Sequence, residues 1–167
     1  VQQPQRQDHL RVRHLFRRLA RQNMAKSPTP RLDEPPGAPP TTYSSITNEY
    51  EALHTGAALL DRSYVGRLSL TGEDALDLLN RLSTNALMDL DVGRGMPTVL
   101  TSNKGRIVDL LFVLREEGSL LVLTGPGTQK KVADWIDLYT IIEDVNVEDV
   151  TEKTSMLSLA GPAAADL

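Results

Sequence analysis

From residue 64 onward the chain switches between two hydrophobic periods, and the switches mark out its elements. In YVGRLSLTG, Val65, Arg67 and Ser69 alternate with Gly66, Leu68 and Leu70, the two-residue period of a strand. TGEDALDLLNRLSTN changes period: Ala75, Leu78, Leu79 and Leu82 recur at helical spacing, and Thr71 as N-cap with Asp74 as its capping-box partner would start the helix. Residues 96–101, 106–115 and LLVLTG (120–125) then read as three strands. The SNKG and EEGS turns between them are short enough to predict an antiparallel meander. Helical spacing returns in GPGTQKKVADWIDLYTIIED, with Val132, Trp135, Ile136, Tyr139 and Ile142 on one side, and VNVEDVT and SMLSLAG supply two last strands. Upstream, NEYEALHTGAALLDRS predicts a helix from Asn48 to Thr55 with Tyr50 and Leu53 inward, followed by a turn at Gly56. The order βαβββαββ implies an α+β fold with a mainly antiparallel sheet and packed helices.

One position breaks this pattern. In LTSNKGRIVDLLFVLR the run around Ile107, Val108, Leu111, Phe112 and Val113 is apolar enough for a strand buried on both faces, yet Asp109 interrupts it. An ionised carboxylate in an apolar setting costs several kcal/mol, so it must be paired, hydrogen-bonded, protonated or open to a pocket. A structural ion pair with Arg67, Lys104 or Arg106 is the simplest account; a site facing a ligand is the other. Nearby, SNKGR is a basic turn whose Lys104 and Arg106 could meet an acidic ligand tail, although such turns are commonly only solvated.

Other features reduce to ordinary structure. VGRG and TGPG lack the spacing of phosphate-binding loops and read as turns, although TGPGT precedes a helix whose N-terminus could hold an anion. Trp135 reads as core. The neighbouring acids Asp89 with Asp91, and Glu143 with Asp144, fall in loops or at helix ends, where solvated charge is usual.

Composition narrows the classes. The 167 residues contain no Cys, which removes disulfides, thiolate metal sites and a thiol nucleophile, and His9, His14 and His54 have no metal-ligand spacing. No window is apolar enough to span a membrane. Charge is uneven: residues 1–26 carry six Arg and one Lys against Asp8, leaving 11 basic and 21 acidic residues in the rest. So acidic a body offers nothing to nucleic acid. Residues 1–24 form an Arg-rich tail in which Leu10, Val12, Leu15, Phe16 and Leu19 could share a helix face. Met24 reads as a native start, which would make residues 1–23 an upstream extension. Residues 25–46 are a linker rich in proline (Pro28, Pro30, Pro35, Pro36, Pro39, Pro40), and residues 47–167 are the folded domain. Because GPAAADL resembles the beginning of a helix, the domain is expected to be truncated at its C-terminal end.

The succession LLDRS, LTGEDALDLLNRLSTNAL, VGRG, LTSNKGRIVDLLFVLR and LSLAGPAA resembles the N-terminal segment of the tetrahydrofolate-binding aminomethyltransferase superfamily. That superfamily includes the glycine cleavage T-protein and the YgfZ-type proteins of iron–sulfur enzyme maturation, and the similarity runs over residues 47–167. KGR before an apolar strand ending in Arg115, and WIDLYTIIEDVNVED, look closer to the YgfZ type. The resemblance implies the first lobe of a three-domain T-protein-like ring with tetrahydrofolate in its central cavity. It further implies one-carbon transfer or folate-dependent iron–sulfur protein maturation. The alternatives are a T-protein (aminomethyltransferase) fragment and a non-catalytic binding or assembly module, so whether the complete protein is a one-carbon transferase stays open. Asp109 is similar in position to the first of two adjacent acids in T-proteins, which implies a catalytic carboxylate. Asn85, Lys104 and Arg106 would then contact folate, the last two at its glutamate tail. Leu110 stands where T-proteins have their second acid, Pro97 lies near a tyrosine position, and the KGCYxGQE motif of YgfZ-type proteins is absent. Implied partners are folate and either a lipoylated carrier protein or iron–sulfur enzymes. No metal, nucleic acid or membrane span is expected, and the location would be the cytoplasm or, alternatively, the mitochondrial matrix.

Overall fold

The computed structural model describes residues 42–166; the Arg-rich tail and residues 25–41 of the linker lie outside the described residues. The elements are α1 (Ile46–Thr55), β1 (Ala58–Asp61), β2 (Val65–Thr71), α2 (Ala75–Leu82), β3 (Gly95–Thr101), β4 (Ile107–Glu116), β5 (Ser119–Pro126), α3 (Gln129–Asp137), β6 (Asn146–Asp149) and β7 (Leu157–Ala160). Every strand pair is antiparallel, so the fold is α+β as the hydrophobic periods imply. Two compact units result: Arg62–Met156, and the described residues up to Asp61 together with those from Leu157 onward. Among the described residues no helix is long and apolar enough to cross a membrane.

The smaller unit pairs β1 with β7, Ala58 opposite Ala160 and Asp61 opposite Leu157. The sequence reading missed β1, because its partner among the described residues is β7, far along the chain. The helix α1 does begin where a cap is available: Ser45 Oγ accepts from the Asn48 N–H at 3.2 Å, and the Glu49 carboxylate accepts from the N–H groups of Tyr43 and Ser44, both at 2.7 Å. Its expected inward face is not covered, however. Tyr50 and Leu53 are both exposed, and no residue of α1 is buried among the described residues.

The larger unit is a five-stranded sheet in the order β3-β4-β5-β2-β6. Register assigns its two faces. Leu68 lies opposite Val122, Val122 opposite Val113, and Leu70 opposite Leu120. These residues share one buried cluster with Ala75, Leu78 and Leu79 of α2 and Val132 and Ile136 of α3, so both helices cover the same face. Burying such aliphatic side chains contributes about 1.5–3 kcal/mol each before entropy is counted. The opposite face carries Val99, Leu110, Phe112, Leu121 and Leu123 by the same alternation. The strand β4 is therefore not buried on both sides: Leu111 and Val113 are closed off, while Leu110 is 64% exposed.

Two local expectations are overturned by tertiary bonds. Thr71 does not cap α2, because it remains in β2 paired with Ser119 and Asn146; Asp74 occupies the N-cap position instead. The last helix also stops at Asp137 rather than continuing to Ile142, which is 93% exposed. Bonds from Tyr139 N–H to Ile136 O and from Thr140 N–H to Asp137 O tighten the last turn. The Glu143 carboxylate then draws in the N–H groups of Ile141 and Ile142, at 3.0 and 3.1 Å. A run of β-branched residues at that point does little to hold a helix against this competition.

Arg67 closes the larger unit. It stands on the helix-free face of β2 yet is only 3% exposed. Its guanidinium donates to the carbonyls of Ser63 (3.1 Å), Val65 (2.6 Å), Thr151 and Thr154 (3.0 Å), and Nε donates to Thr154 Oγ1 at 2.7 Å. Alongside, Arg67 N–H donates to Thr151 Oγ1 at 2.9 Å and Val150 N–H donates to Arg67 O at 3.0 Å.

Arg67→Met should lower stability by about 3 kcal/mol or more, since several buried carbonyls lose their donor; a drop in the urea midpoint of the isolated chain would show it. A second expectation concerns acid. The Arg81 guanidinium, with the N–H groups of Ile142 and Ile141, holds the Glu143 carboxyl at about 2, below its ordinary 4.5. Because the folded value is the lower one, the stabilisation is present above about pH 4.5 and is lost as pH falls towards 2. Glu143→Gln should remove that part of the pH dependence, read from amide exchange at Ile141 and Ile142 over the same window.

Candidate active site

Asp109 sits near the start of β4, opposite Leu100 of β3, and register puts its side chain on the helix-covered face. That placement decides its partners. Arg67 is on the other face of the sheet with its donors already committed, so no pair between the two can form. Lys104 and Arg106 are exposed in the β3–β4 turn, and among the described residues Asp109 enters no ion pair.

What the carboxylate meets instead is the turn between β5 and α3. Oδ2 accepts from the Gly125 N–H at 3.0 Å and from the Thr128 hydroxyl at 2.5 Å. Oδ1 accepts from the N–H of Leu110 at 2.9 Å. The turn is itself braced, with Thr128 N–H donating to Gly125 O at 3.2 Å. The chain's own carboxylate thus lies against the TGPGT turn, held by a β5 amide and the Thr128 hydroxyl. Hydrogen bonds to an ionised acceptor are worth about 1.5–3 kcal/mol each, enough to hold a half-buried Asp without a cation.

Two glycines make the approach possible. A Cβ on Gly66 of β2 would lie 2.2 Å from Thr124 Oγ1 and 2.9 Å from Gln129 Cβ, so its absence lets the first turn of α3 lie down on β2. A Cβ on Gly125 would lie 3.1 Å from Thr128 Oγ1 and 3.2 Å from Asp109 Oδ1. The carboxylate occupies the space a side chain there would need.

The four residues singled out by sequence separate into two groups. Asp109, Lys104 and Arg106 share one end of the β3–β4 hairpin, where Ser102 Oγ and Arg106 N–H bond across the turn at 3.1 Å. Asn85 lies on the other edge of β3, beyond it from Asp109: Ser83 bridges to Leu100, and Asn85 Nδ2 donates to Pro97 O at 2.9 Å. Its side-chain amide is spent on the sheet edge. The sequence reading did not find Gly125, Thr128 or Lys131, whose Nζ donates to Val108 O at 2.7 Å beside the carboxylate. Only the fold shows that this turn lies over residue 109. A cavity of about 180 Å³ lined by Leu70, Leu76, Val92, Arg115 and Glu116 belongs to the β4–β5 end of the sheet and does not include Asp109. The described residues around Asp109 therefore offer a wall with polar anchors.

Comparison with known proteins gives a consistent picture. The family described as the GCVT N-terminal domain matches residues 32–167. A Bacillus pumilus protein named aminomethyltransferase is 36% identical over 130 residues, covering 77% of this chain and 35% of that one. A Geobacillus kaustophilus protein of the same name is 36% identical over 127 residues, covering 75% and 34%. Among solved structures, the glycine cleavage system aminomethyltransferase T from Bartonella henselae superposes with a TM-score of 0.64 at 20% identity, over 71% of this chain and 33% of that one, which establishes likeness of fold. The chain spans about a third of the length of these relatives.

Gly125→Ala should displace the Asp109 carboxylate and weaken its bond to Thr128. The expected readout is a changed carboxyl-carbon NMR signal for Asp109, with loss of about 1–3 kcal/mol in urea unfolding.

Proposed function

This chain belongs to the GCVT N-terminal-domain family, and on that premise we propose that it supplies part of a tetrahydrofolate site in a T-protein-like aminomethyltransferase. The names of the similar proteins support this branch over the YgfZ type that the strand and helix wording favoured, and they lend no support to iron–sulfur protein maturation. The observation that carries the reading is Asp109: a carboxylate fixed by neutral donors, in no ion pair among the described residues, on a hairpin end that also carries Lys104 and Arg106.

These residues fit a reduced folate in kind. Oδ1 of Asp109 is bonded by one backbone amide and keeps acceptor capacity for ring N–H donors, while the two exposed cations suit the carboxylates of a glutamate tail. Asn85 fits less well, because its amide is engaged with Pro97. A pterin usually needs a cavity of roughly 300 Å³ or more, so other parts of a longer protein would complete the pocket.

In aminomethyl transfer, the one-carbon unit passes from an aminomethyl donor to tetrahydrofolate nitrogens and ammonia leaves. A positioned carboxylate can hold or deliver the proton that changes hands. The orientation that Gly125 and Thr128 give the Asp109 carboxylate supports that role. A lipoylated carrier protein would be the source of the aminomethyl group.

Calorimetric titration with a stable reduced folate, 5-formyltetrahydrofolate, tests the reading. Asp109→Asn should weaken binding about tenfold or more, and paired substitution of Lys104 and Arg106 by Ala should weaken a polyglutamylated folate more than a monoglutamate. Unchanged affinity in Asp109→Asn, or no binding by the parent chain, would favour a non-catalytic assembly module.

A further inference from the structure

One hydroxyl proton faces two acceptors beside Asp109. Thr128 Oγ1 lies 2.5 Å from Asp109 Oδ2 and 2.9 Å from the Gly125 carbonyl oxygen, and a hydroxyl can donate to only one of them while accepting with its lone pairs. The carbonyl does not depend on this proton, since it also accepts from Thr128 N–H at 3.2 Å and Thr124 Oγ1 at 3.0 Å.

Two arrangements are therefore available with every heavy atom in place. With Asp109 ionised, the Thr128 proton points to Oδ2. With Oδ2 protonated, the carboxyl donates to Thr128 Oγ1 and the hydroxyl proton turns to the Gly125 carbonyl. The Gly125 N–H, 3.0 Å from Oδ2, keeps an acceptor lone pair in both cases. Charged groups on the surrounding elements are Lys131 of α3, which donates to Val108 O, and Lys104 and Arg106 of the β3–β4 turn; none of them forms an ion pair with Asp109.

We propose that Thr128 is a positioning residue for Asp109, its hydroxyl holding the carboxyl in one orientation in both protonation states so that a proton can be taken up and released without loss of alignment. This rests on the reading of Asp109 as the proton-handling carboxylate. Oδ1, whose donor among the described residues is the Leu110 N–H, remains the oxygen turned to a reacting group.

The test follows the carboxyl-carbon NMR signal of Asp109 through a pH titration of the whole chain. Thr128→Val removes the hydroxyl with little change of shape, and the Asp109 carboxyl-carbon signal should change at both ends of the titration, because the carboxyl loses a donor when ionised and an acceptor when protonated. Thr128→Ser should restore the parent curve. If Thr128→Val does not fold, Thr128→Ala removes the same hydroxyl without the added branch and is read in the same way. A purely structural threonine would shift the urea midpoint of these variants and leave the Asp109 carboxyl signal at both ends of the titration where it was; that result, or a serine variant that behaves like valine, overturns the proposal. Failure of the parent chain to bind 5-formyltetrahydrofolate would count against the folate reading alone, and the titration would still decide the role of Thr128.

Discussion

Arg67 carries its guanidinium into the closed interior of the larger unit and, among the described residues, forms no ion pair there. It is held by carbonyl oxygens, and their positions explain its importance: Ser63 stands just before β2, while Thr151 and Thr154 follow β6. The guanidinium therefore draws together the beginning and the end of the unit. Arg is suited to this because its planar fork presents five donors that a fixed set of carbonyls can satisfy, whereas lysine offers a single hydrated point charge. With β2 anchored in this way between β5 and β6, the sheet has a fixed centre on which the helices can be laid.

The position of Asp109 depends on that centre. Gly66 on β2 admits the first turn of α3, α3 brings Thr128 and the preceding Gly125 over β4, and the carboxylate fills the space that Gly125 leaves. The acid is stabilised by neutral donors, so its charge remains available to whatever approaches. An ion pair would have compensated it and removed that capacity. Lys104 and Arg106 are near enough in sequence to supply such a pair, but the turn holds them out in solvent.

Helix placement also explains why β4 has an apolar composition without matching burial. Apart from Asp109 and the terminal Arg115 and Glu116, its residues on both faces are aliphatic or aromatic, yet α2 and α3 lie on one face. Leu111 and Val113 are enclosed, and Leu110 and Phe112 are not. The matched stretch covers about a third of the similar aminomethyltransferases, so those proteins have further polypeptide beyond it.

The sequence by itself determined the α+β class, the meander of β3, β4 and β5, the helical stretches of α2 and most of α3, and the anomaly at Asp109. These depend on local periods of two and 3.6 residues and on short turns, so neighbouring residues carry the information. Tertiary structure decided what those periods cannot encode. The strand β1 exists only because β7 returns to it, Thr71 stays in the sheet because strands flank it on both sides, and α3 ends where Glu143 captures the next amides. At the candidate site, Asp109 was legible as a charge out of pattern and Lys104 with Arg106 as a basic turn beside it, whereas Gly125 and Thr128 were not legible. The bond from residue 109 to residue 128 joins a strand to a helix entrance with a whole strand between them, and only packing brings the two ends together.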